Sequence, residues 1–340
     1  MNTFPLKARI PLPFPAQRDR DFTLSIIVPC YNEEEVIQTT FLKLRETAAL
    51  VTPHFELLFV DDGSKDRTFE ILLDICRNDD RAQCIRLSRN FGHQVAVTAG
   101  LDECRGDAAV VIDADLQDPP AVIIEMVEKW RAGYDVVYGQ RQTREGEGAF
   151  KLWTAFLFYR LINILSEISI PQDTGDFRLI DRRVIDALRM MPERHRLLRG
   201  MMSWVGFNQT SVRYVRAPRF AGTSKYPLSK MLGLALDGIL SFSVKPLRLV
   251  TYIGGGMFCL SVLGIVYALI IRILTERWVP GWTILFIGNL LFSGIQFIVL
   301  GILGEYVGRI YSEVKARPLY LIASRVGASV FDFPHQSVGR

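Results

Sequence analysis

Two carboxylates one residue apart, Asp113 and Asp115, follow the apolar run Val110-Val111-Ile112 and precede Pro119-Pro120. A valine- and isoleucine-rich strand buried on both faces delivers its carboxyl end to the ligand edge of an open α/β sheet. Carboxylates at that edge, separated only by small Ala114, can hold a divalent cation against a diphosphate. Hard oxygen ligands suit Mg2+ or Mn2+, and magnesium takes much of its shell from water and substrate phosphate. Gln117 offers a further, neutral oxygen. The competing reading is that Asp-x-Asp caps the helix starting at Pro119-Pro120, because prolines and carboxylates both favour a helix N-terminus. So short a motif does not by itself separate the two.

The elements that must position these residues lie upstream. Leu24–Pro29 reads as a first strand, and a helix then runs to about Leu50 with Asn32 as its N-cap. Phe55–Val60 reads as a second strand ending in Asp61-Asp62-Gly63-Ser64. Gly63 there suits a positive φ, and Ser64 or Asp66 caps a helix running through Cys76. A third strand, Cys84–Ser88, leads through Arg89-Asn90-Phe91-Gly92-His93 into a helix to about Cys104. Alternating strands and helices predict a parallel sheet with crossover helices. Glu33, Asp61, Asp113 and Asp115 then all follow strand ends, where such sheets bind nucleotides. Neither Gly-x-Gly-x-x-Gly nor a P-loop occurs, so dehydrogenase and P-loop readings lack their phosphate cradle.

Val28-Pro29-Cys30-Tyr31-Asn32-Glu33, Asp61-Asp62-Gly63-Ser64-Lys65-Asp66 and Asp113-Ala114-Asp115-Leu116-Gln117-Asp118-Pro119-Pro120 resemble the successive motifs of inverting family-2 glycosyltransferases with the GT-A fold. The chain is most similar to the membrane-bound polyprenyl-phosphate group, the bactoprenol glucosyltransferases and dolichol-phosphate-mannose synthases, from about Leu24 to Pro318. The resemblance implies an α/β, Rossmann-like catalytic domain in which Pro29, Tyr31, Glu33 and Asp61 hold the nucleoside. Asp113, Asp115 and Gln117 would hold the metal, Mg2+ or Mn2+, and the diphosphate. Packing remains an alternative for Tyr31, and a turn-backbone role for Asp62. Asp176, in Thr174-Gly175-Asp176-Phe177-Arg178-Leu179, matches the family's catalytic aspartate. An acceptor phosphate is already largely ionised near neutral pH, so Asp176 is read as orienting the acceptor and stabilising charge at the sugar C1. Pairing with Arg178 is the structural alternative.

The second half changes solvent. Neither 249–271 nor 279–304 contains a charged residue, and about 20 apolar residues cross a hydrocarbon core. Both are read as spans of a two-helix hairpin, within which Asn289 and Gln296 can bond between helices. Gly254-Gly255-Gly256 reads either as a close helix approach or as a local break. Lys230, Lys245 and Arg248 flank the first run and Arg309, Lys315 and Arg317 the second, against Arg272 and Arg277 between them. The positive-inside rule then puts both termini and the catalytic part on the cytoplasmic side of the inner membrane. Residues 1–22 form a flexible lead with no signal pattern, 23–226 the catalytic domain, 227–246 a juxtamembrane helix, 247–306 the two spans, and 307–340 a cytoplasmic tail, loose after Ile322. Segments 149–168 and 227–246 read as interfacial helices, a reading that the resemblance favours over core or subunit-contact helices.

An active site held at a bilayer suits a polyprenyl (undecaprenyl) phosphate acceptor. Arg141 and Arg144 follow the strand 135–139, and Arg219 and Lys225 precede the second interfacial segment. Arginine offers phosphate a fixed fork of donors and lysine a point charge, whereas the plainer role is attraction of anionic lipid. The resemblance favours Arg141 and Lys225 as acceptor ligands, with Arg144 and Arg219 in support. It also implies a homotetramer and makes UDP-glucose the leading donor, with N-acetylhexosamine, mannose or aminoarabinose carriers as alternatives. A processive polysaccharide synthase would carry Gln-x-x-Arg-Trp, which 195–204 lacks, and more spans. Two spans are few for a transporter, and intact metal-site residues argue against a non-catalytic scaffold. A net charge of +4 over 340 residues indicates no nucleic-acid partner. The five cysteines show neither metal spacing nor a disulfide framework, and the four histidines are scattered.

Overall fold

The computed structural model describes residues 18, 21–141, 174–216, 243, 245–275 and 281–327. The interfacial segments 149–168 and 227–242, together with Arg144, Arg219 and Lys225, lie outside the described residues. Strands β1 (Leu24–Cys30), β2 (Phe55–Asp61) and β3 (Ala82–Leu87) alternate with helices α1 (Ile37–Val51), α2 (Thr68–Asn78) and α3 (His93–Glu103). Strand β4 (Ala108–Val111), helix α4 (Val122–Arg131) and strand β5 (Val136–Arg141) follow. Beyond them come β6 (Thr174–Asp181), α5 (Arg182–Arg189), α6 (Leu198–Trp204) and β7 (Gln209–Tyr214). Two long helices, α7 (Lys245–Thr275) and α8 (Trp282–Val314), and strand β8 (Ile322–Gly327) complete the order.

The strands form one sheet in the order β7-β5-β6-β4-β1-β2-β3-β8. Apolar residues alternate between its faces because successive strand side chains point to opposite sides. Leu24, Ile26 and Val28 of β1 join Leu57 and Phe59 of β2 under α1, α2 and α4, where Phe41, Leu72 and Trp130 pack. Ile27, Leu58, Val60 and Val111 face the other way, against Val97 of α3, Ile185 of α5 and Met201 of α6. The sheet is thus sandwiched between two helical layers. Burial on both faces explains the unbroken hydrophobic runs. Chain order reverses between β1 and β4, which pair in parallel, and this switch point is where open α/β sheets bind ligands.

The sheet is not wholly parallel. β6 inserts antiparallel between β4 and β5, with Val111 opposite Arg178 and Gln140 opposite Thr174. Because β6 runs backwards, its first residues lie beside the last residues of β4 and β5. That reversal carries Asp176 to the edge already holding Asp113.

The expected loose segment after Ile322 is corrected: β8 pairs antiparallel with β3, Cys84 opposite Val326. The polar alternation of Ser324 and Arg325 suits an edge strand with one wet face. Around it, the Tyr320 hydroxyl donates to Asp102 Oδ2 at 3.0 Å, Arg325 meets Glu103 at 2.7 Å, and the Ser88 amide donates to the Leu321 carbonyl at 2.8 Å. The chain therefore returns to the catalytic sheet after α8. Within α8, Leu291–Val314 is the only stretch among the described residues long and apolar enough to cross a membrane, and Val250–Gly264 of α7 is a shorter apolar run. α7 is continuous through Gly254-Gly255-Gly256, and an added Cβ on any of the three meets nothing among the described residues. Among the described residues, neither a break nor a close helix approach is found there.

Candidate active site

At the β1–β2 end of the edge, two consecutive loops are bonded to each other. Asn32 does not cap α1, which starts at Ile37 without a side-chain cap. Instead Asn32 adopts φ 56°, donates its amide to Ser64 Oγ at 3.0 Å, and accepts the Lys65 amide on Oδ1 at 2.9 Å. Asparagine tolerates this left-handed region better than most residues. The Glu33 amide donates to Thr68 Oγ1 at 2.8 Å, and Asp66 accepts the Thr68 amide at 3.0 Å at the start of α2. Gly63 takes φ +68°, and a Cβ there would come within 2.6 Å of the Arg89 backbone. Asp62 reaches across to accept the Phe91 and Gly92 amides at 2.7 and 2.9 Å, so its role is to fasten the loop entering α3.

Asp61 is fully buried in this setting. Its Oδ1 accepts the Ser64 amide at 3.0 Å, while Oδ2 lies 3.3 Å from Arg86 Nε without making a hydrogen bond. A buried carboxylate oxygen lacking a donor is costly and fits a ligand that brings one. Pro29 is buried at the end of β1 opposite Val60, whereas Tyr31 is 40% exposed. Glu33 is half-buried beside them.

At the β4 end, Asp113 and Asp115 occupy the turn leaving the strand. Thr40 Oγ1 from α1 donates to the Ala114 carbonyl at 2.7 Å, pinning the residue between them. Leu116 adopts φ 55°, strained for a leucine, while Asp115 Oδ1 accepts the Gln117 amide at 3.1 Å. α4 begins only at Val122, after Ala121 and with no side-chain cap, so neither aspartate caps that helix. The helix-cap reading of Asp113 and Asp115 therefore fails.

Asp176 lies next to them and is held from three directions. Arg199 Nε of α6 donates to Oδ1 at 2.8 Å, Gln94 Nε2 of α3 donates to Oδ2 at 3.0 Å, and His93 Nε2 is 3.1 Å from Oδ2. The same His93 nitrogen lies 3.6 Å from Asp113 Oδ1 and so bridges the two carboxylates. Buried Arg178 approaches Asp176 at 3.9 Å, but it is not the principal partner and bonds the Gly175 carbonyl at 2.7 Å. Burial alone would raise the Asp176 pKa; the His93 bond and the charges of Arg199 and Arg178 outweigh it and hold the carboxyl well below the usual range. Burial would likewise lower that of His93, yet the bond to Asp176 and the Asp113 charge raise it. Burial and the neighbouring Asp176, Asp115 and Asp118 push the Asp113 carboxyl up, against the pull of His93.

Arg141 ends β5 next to this cluster. Its Nε donates to the Tyr214 hydroxyl at 3.4 Å, and that hydroxyl donates to Asp118 Oδ1 at 2.6 Å. Arg216 also reaches Asp118 Oδ1, at 3.2 Å, leaving buried Oδ2 with no hydrogen bond and Arg141 at 3.7 Å. His93, Gln94, Asp118, Arg199 and Tyr214 were not singled out from sequence. For His93 and Gln94 a signal existed, since they open the helix that follows β3 at the ligand edge. Arg199 and Tyr214 had none, being brought in by tertiary folding.

The donor set fits a divalent cation in part. Asp113 and Asp115 supply hard oxygens, and the crowding of carboxylates around Asp113 is a surplus of negative charge that a cation relieves. Among the described residues no group of three His, Cys, Asp or Glu is arranged as a metal site, so a ligand must supply further oxygens. All five cysteines are free.

Comparison with known proteins gives the family. Residues 25–189 match the model of glycosyl transferase family 2. The chain is 51% identical to the uncharacterized glycosyltransferase YkcC of Bacillus subtilis over 308 residues, 91% of this chain and 95% of that protein. It is 43% identical to the bactoprenol glucosyl transferase of Shigella phage SfX over 302 residues, 89% of this chain and 99% of that protein. A prophage bactoprenol glucosyl transferase homolog of Escherichia coli K12 is 42% identical, covering 88% and 98%. Among solved structures, glucosyl-3-phosphoglycerate synthase from Mycobacterium tuberculosis shows 20% identity and a TM-score of 0.43 over 64% of this chain and 76% of that one. Identity of this extent along nearly the whole chain, with the aspartates gathered at one sheet edge, makes this protein a glycosyltransferase belonging to glycosyl transferase family 2.

Proposed function

We propose that the protein transfers a sugar with inversion from a nucleoside diphosphate carrier, UDP-glucose first among candidates, to polyprenyl phosphate at the cytoplasmic face of the inner membrane. The observation that carries this reading is the gathering of Asp61, Asp113, Asp115 and Asp176 at the carboxyl edge around the β1–β4 switch point. The names of the bactoprenol glucosyl transferase relatives support the lipid acceptor. Pro29, Tyr31, Glu33 and Asp61 form the nucleoside pocket, with Asp61 Oδ2 accepting from the base. Asp113 and Asp115, with Gln117, would hold Mg2+ or Mn2+, which would supply charge neutralisation for the departing diphosphate.

The acceptor phosphate oxygen forms a bond to the sugar C1 from the face opposite the nucleotide. The C1–oxygen bond to the diphosphate breaks, and its electron pair leaves with the nucleoside diphosphate. Asp176, already fully engaged and strongly ionised, orients the acceptor side and faces the positive charge developing at C1, taking no proton. Arg141 meets the acceptor phosphate, aided by Lys225, Arg144 and Arg219. α7 and α8 form a two-helix membrane hairpin with both termini cytoplasmic, a reading that the apolar stretch Leu291–Val314 supports, and the chain assembles as a tetramer. The test is a panel of nucleotide sugars incubated with full-length protein and undecaprenyl phosphate, read by the mass of the extracted lipid. One hexose added from UDP-glucose is the expected product. Label entering polymer, or no lipid product from any donor, contradicts the reading.

A further inference from the structure

Arg199 is bonded to Asp176 through Nε alone; among the described residues its two Nη groups make no hydrogen bond. Its side chain keeps 31% of its surface open, so these donors are not sealed into the core. A guanidinium whose only task was to neutralise Asp176 would be redundant, because buried Arg178 already approaches the same carboxylate. Arg178 and Arg199 thus share one carboxylate, and the Nη donors of Arg199 are left over for a ligand. Arg141 approaches from β5, the neighbour of β6, where a Cβ on Gly175 would fall 2.7 Å from Arg141 Nη2. The Arg141 guanidinium therefore lies against the start of β6. Arg141 and Arg199 sit near enough to disfavour each other's charge. Two cations drawn together with donors unspent make a receptor for an anion, and a planar fork on each side suits a phosphate.

We infer that Arg199 is an acceptor-binding residue, forming with Arg141 a two-guanidinium seat for the phosphate that attacks C1. Its Nε holds Asp176 while its Nη groups hold the phosphate, so one side chain sets the distance between the orienting carboxylate and the nucleophile. This rests on the polyprenyl-phosphate reading given above. Gln94, which bridges Asp176 and the Leu198 amide, is the natural control, since it supports Asp176 without offering a phosphate any positive charge.

Kinetics of the full-length protein with undecaprenyl phosphate separate the roles. Arg199→Gln raises the acceptor KM roughly tenfold to a hundredfold with the donor KM unchanged, Arg199→Lys recovers part of it, and Gln94→Ala lowers kcat without moving the acceptor KM. An Arg199→Gln enzyme that loses kcat as Gln94→Ala does, with its acceptor KM unmoved, overturns the inference. A variant-free measurement covers failure to fold: phenylglyoxal modification of the wild-type protein, mapped to Arg199 by peptide mass. Inorganic phosphate and undecaprenyl phosphate should each protect Arg199; protection by neither overturns the assignment. If inorganic phosphate protects Arg199 but wild-type protein makes no glycosyl lipid, the acceptor class is wrong and the anion seat stands.

Discussion

At the β1–β2 end of the sheet edge, polar groups from two consecutive loops bond mainly to one another; at the β4–β6 end, charged groups from several elements converge on Asp176 and Asp113. The first is a backbone lattice: Asn32, Ser64 and Asp66 spend their side chains on amides of the facing or same loop. The second is a charge balance, in which Asp176 stays ionised only because Arg199, Arg178 and His93 offset its burial. Each half nonetheless leaves one buried carboxylate oxygen without a hydrogen bond, Asp61 Oδ2 in the first and Asp118 Oδ2 in the second. A lattice of side chains bonded to backbone amides holds a shape, which suits binding a constant nucleoside. A charge cluster responds to the charge that arrives, which suits the changing electrostatics of transfer.

Four substitutions bear on this contrast. Asp115→Ala should lower turnover by at least about a hundredfold with metal present, while a thermal melt shows the fold intact. Near-native activity would remove the metal assignment and with it the contrast. Asp176→Asn should lower kcat by about a hundredfold and resist rescue by raising pH. The sign follows from its depressed pKa: the charged form exists at every pH above that low value and is lost only when pH falls through it, far below assay conditions. No ionisation in a rate profile between pH 6 and 9 should therefore belong to Asp176 itself, while that of His93, raised by its bond to Asp176, should shift downward in Asp176→Asn. Asp61→Asn keeps the acceptor oxygen for Ser64 but replaces the orphan oxygen by a donor, so donor KM should rise by roughly tenfold with kcat little changed. Asn32→Ala should act on stability, costing about 1–2 kcal/mol through the lost Lys65 bond and the φ of 56°, read as a lower Tm.

The same contrast explains what the sequence disclosed. Asn32, Asp61, Gly63 and Asp66 lie in short motifs beside the strands that carry them, so local patterning located the edge and the lattice residues. It assigned Asn32 to a helix cap, because a left-handed turn and an N-cap favour the same residue type. Asp113 and Asp115 were legible as a site only through their strand. The cluster around Asp176 was not: His93 and Arg199 are far apart along the chain, and they meet only because β6 runs antiparallel beside β4. A rule that reads alternating strands and helices as parallel does not foresee that reversal. β8 escaped for a related reason, since a short half-polar strand gains its stability from pairing with a distant β3.

The most direct test of the division is to measure nucleoside diphosphate binding and transfer to undecaprenyl phosphate side by side in the wild type, Asp61→Asn and Asp176→Asn. The account predicts that Asp61→Asn weakens nucleotide binding and largely keeps kcat at saturating donor, while Asp176→Asn binds nucleotide as the wild type does and loses transfer. Equal loss of binding in both variants, or transfer surviving in Asp176→Asn, would contradict it.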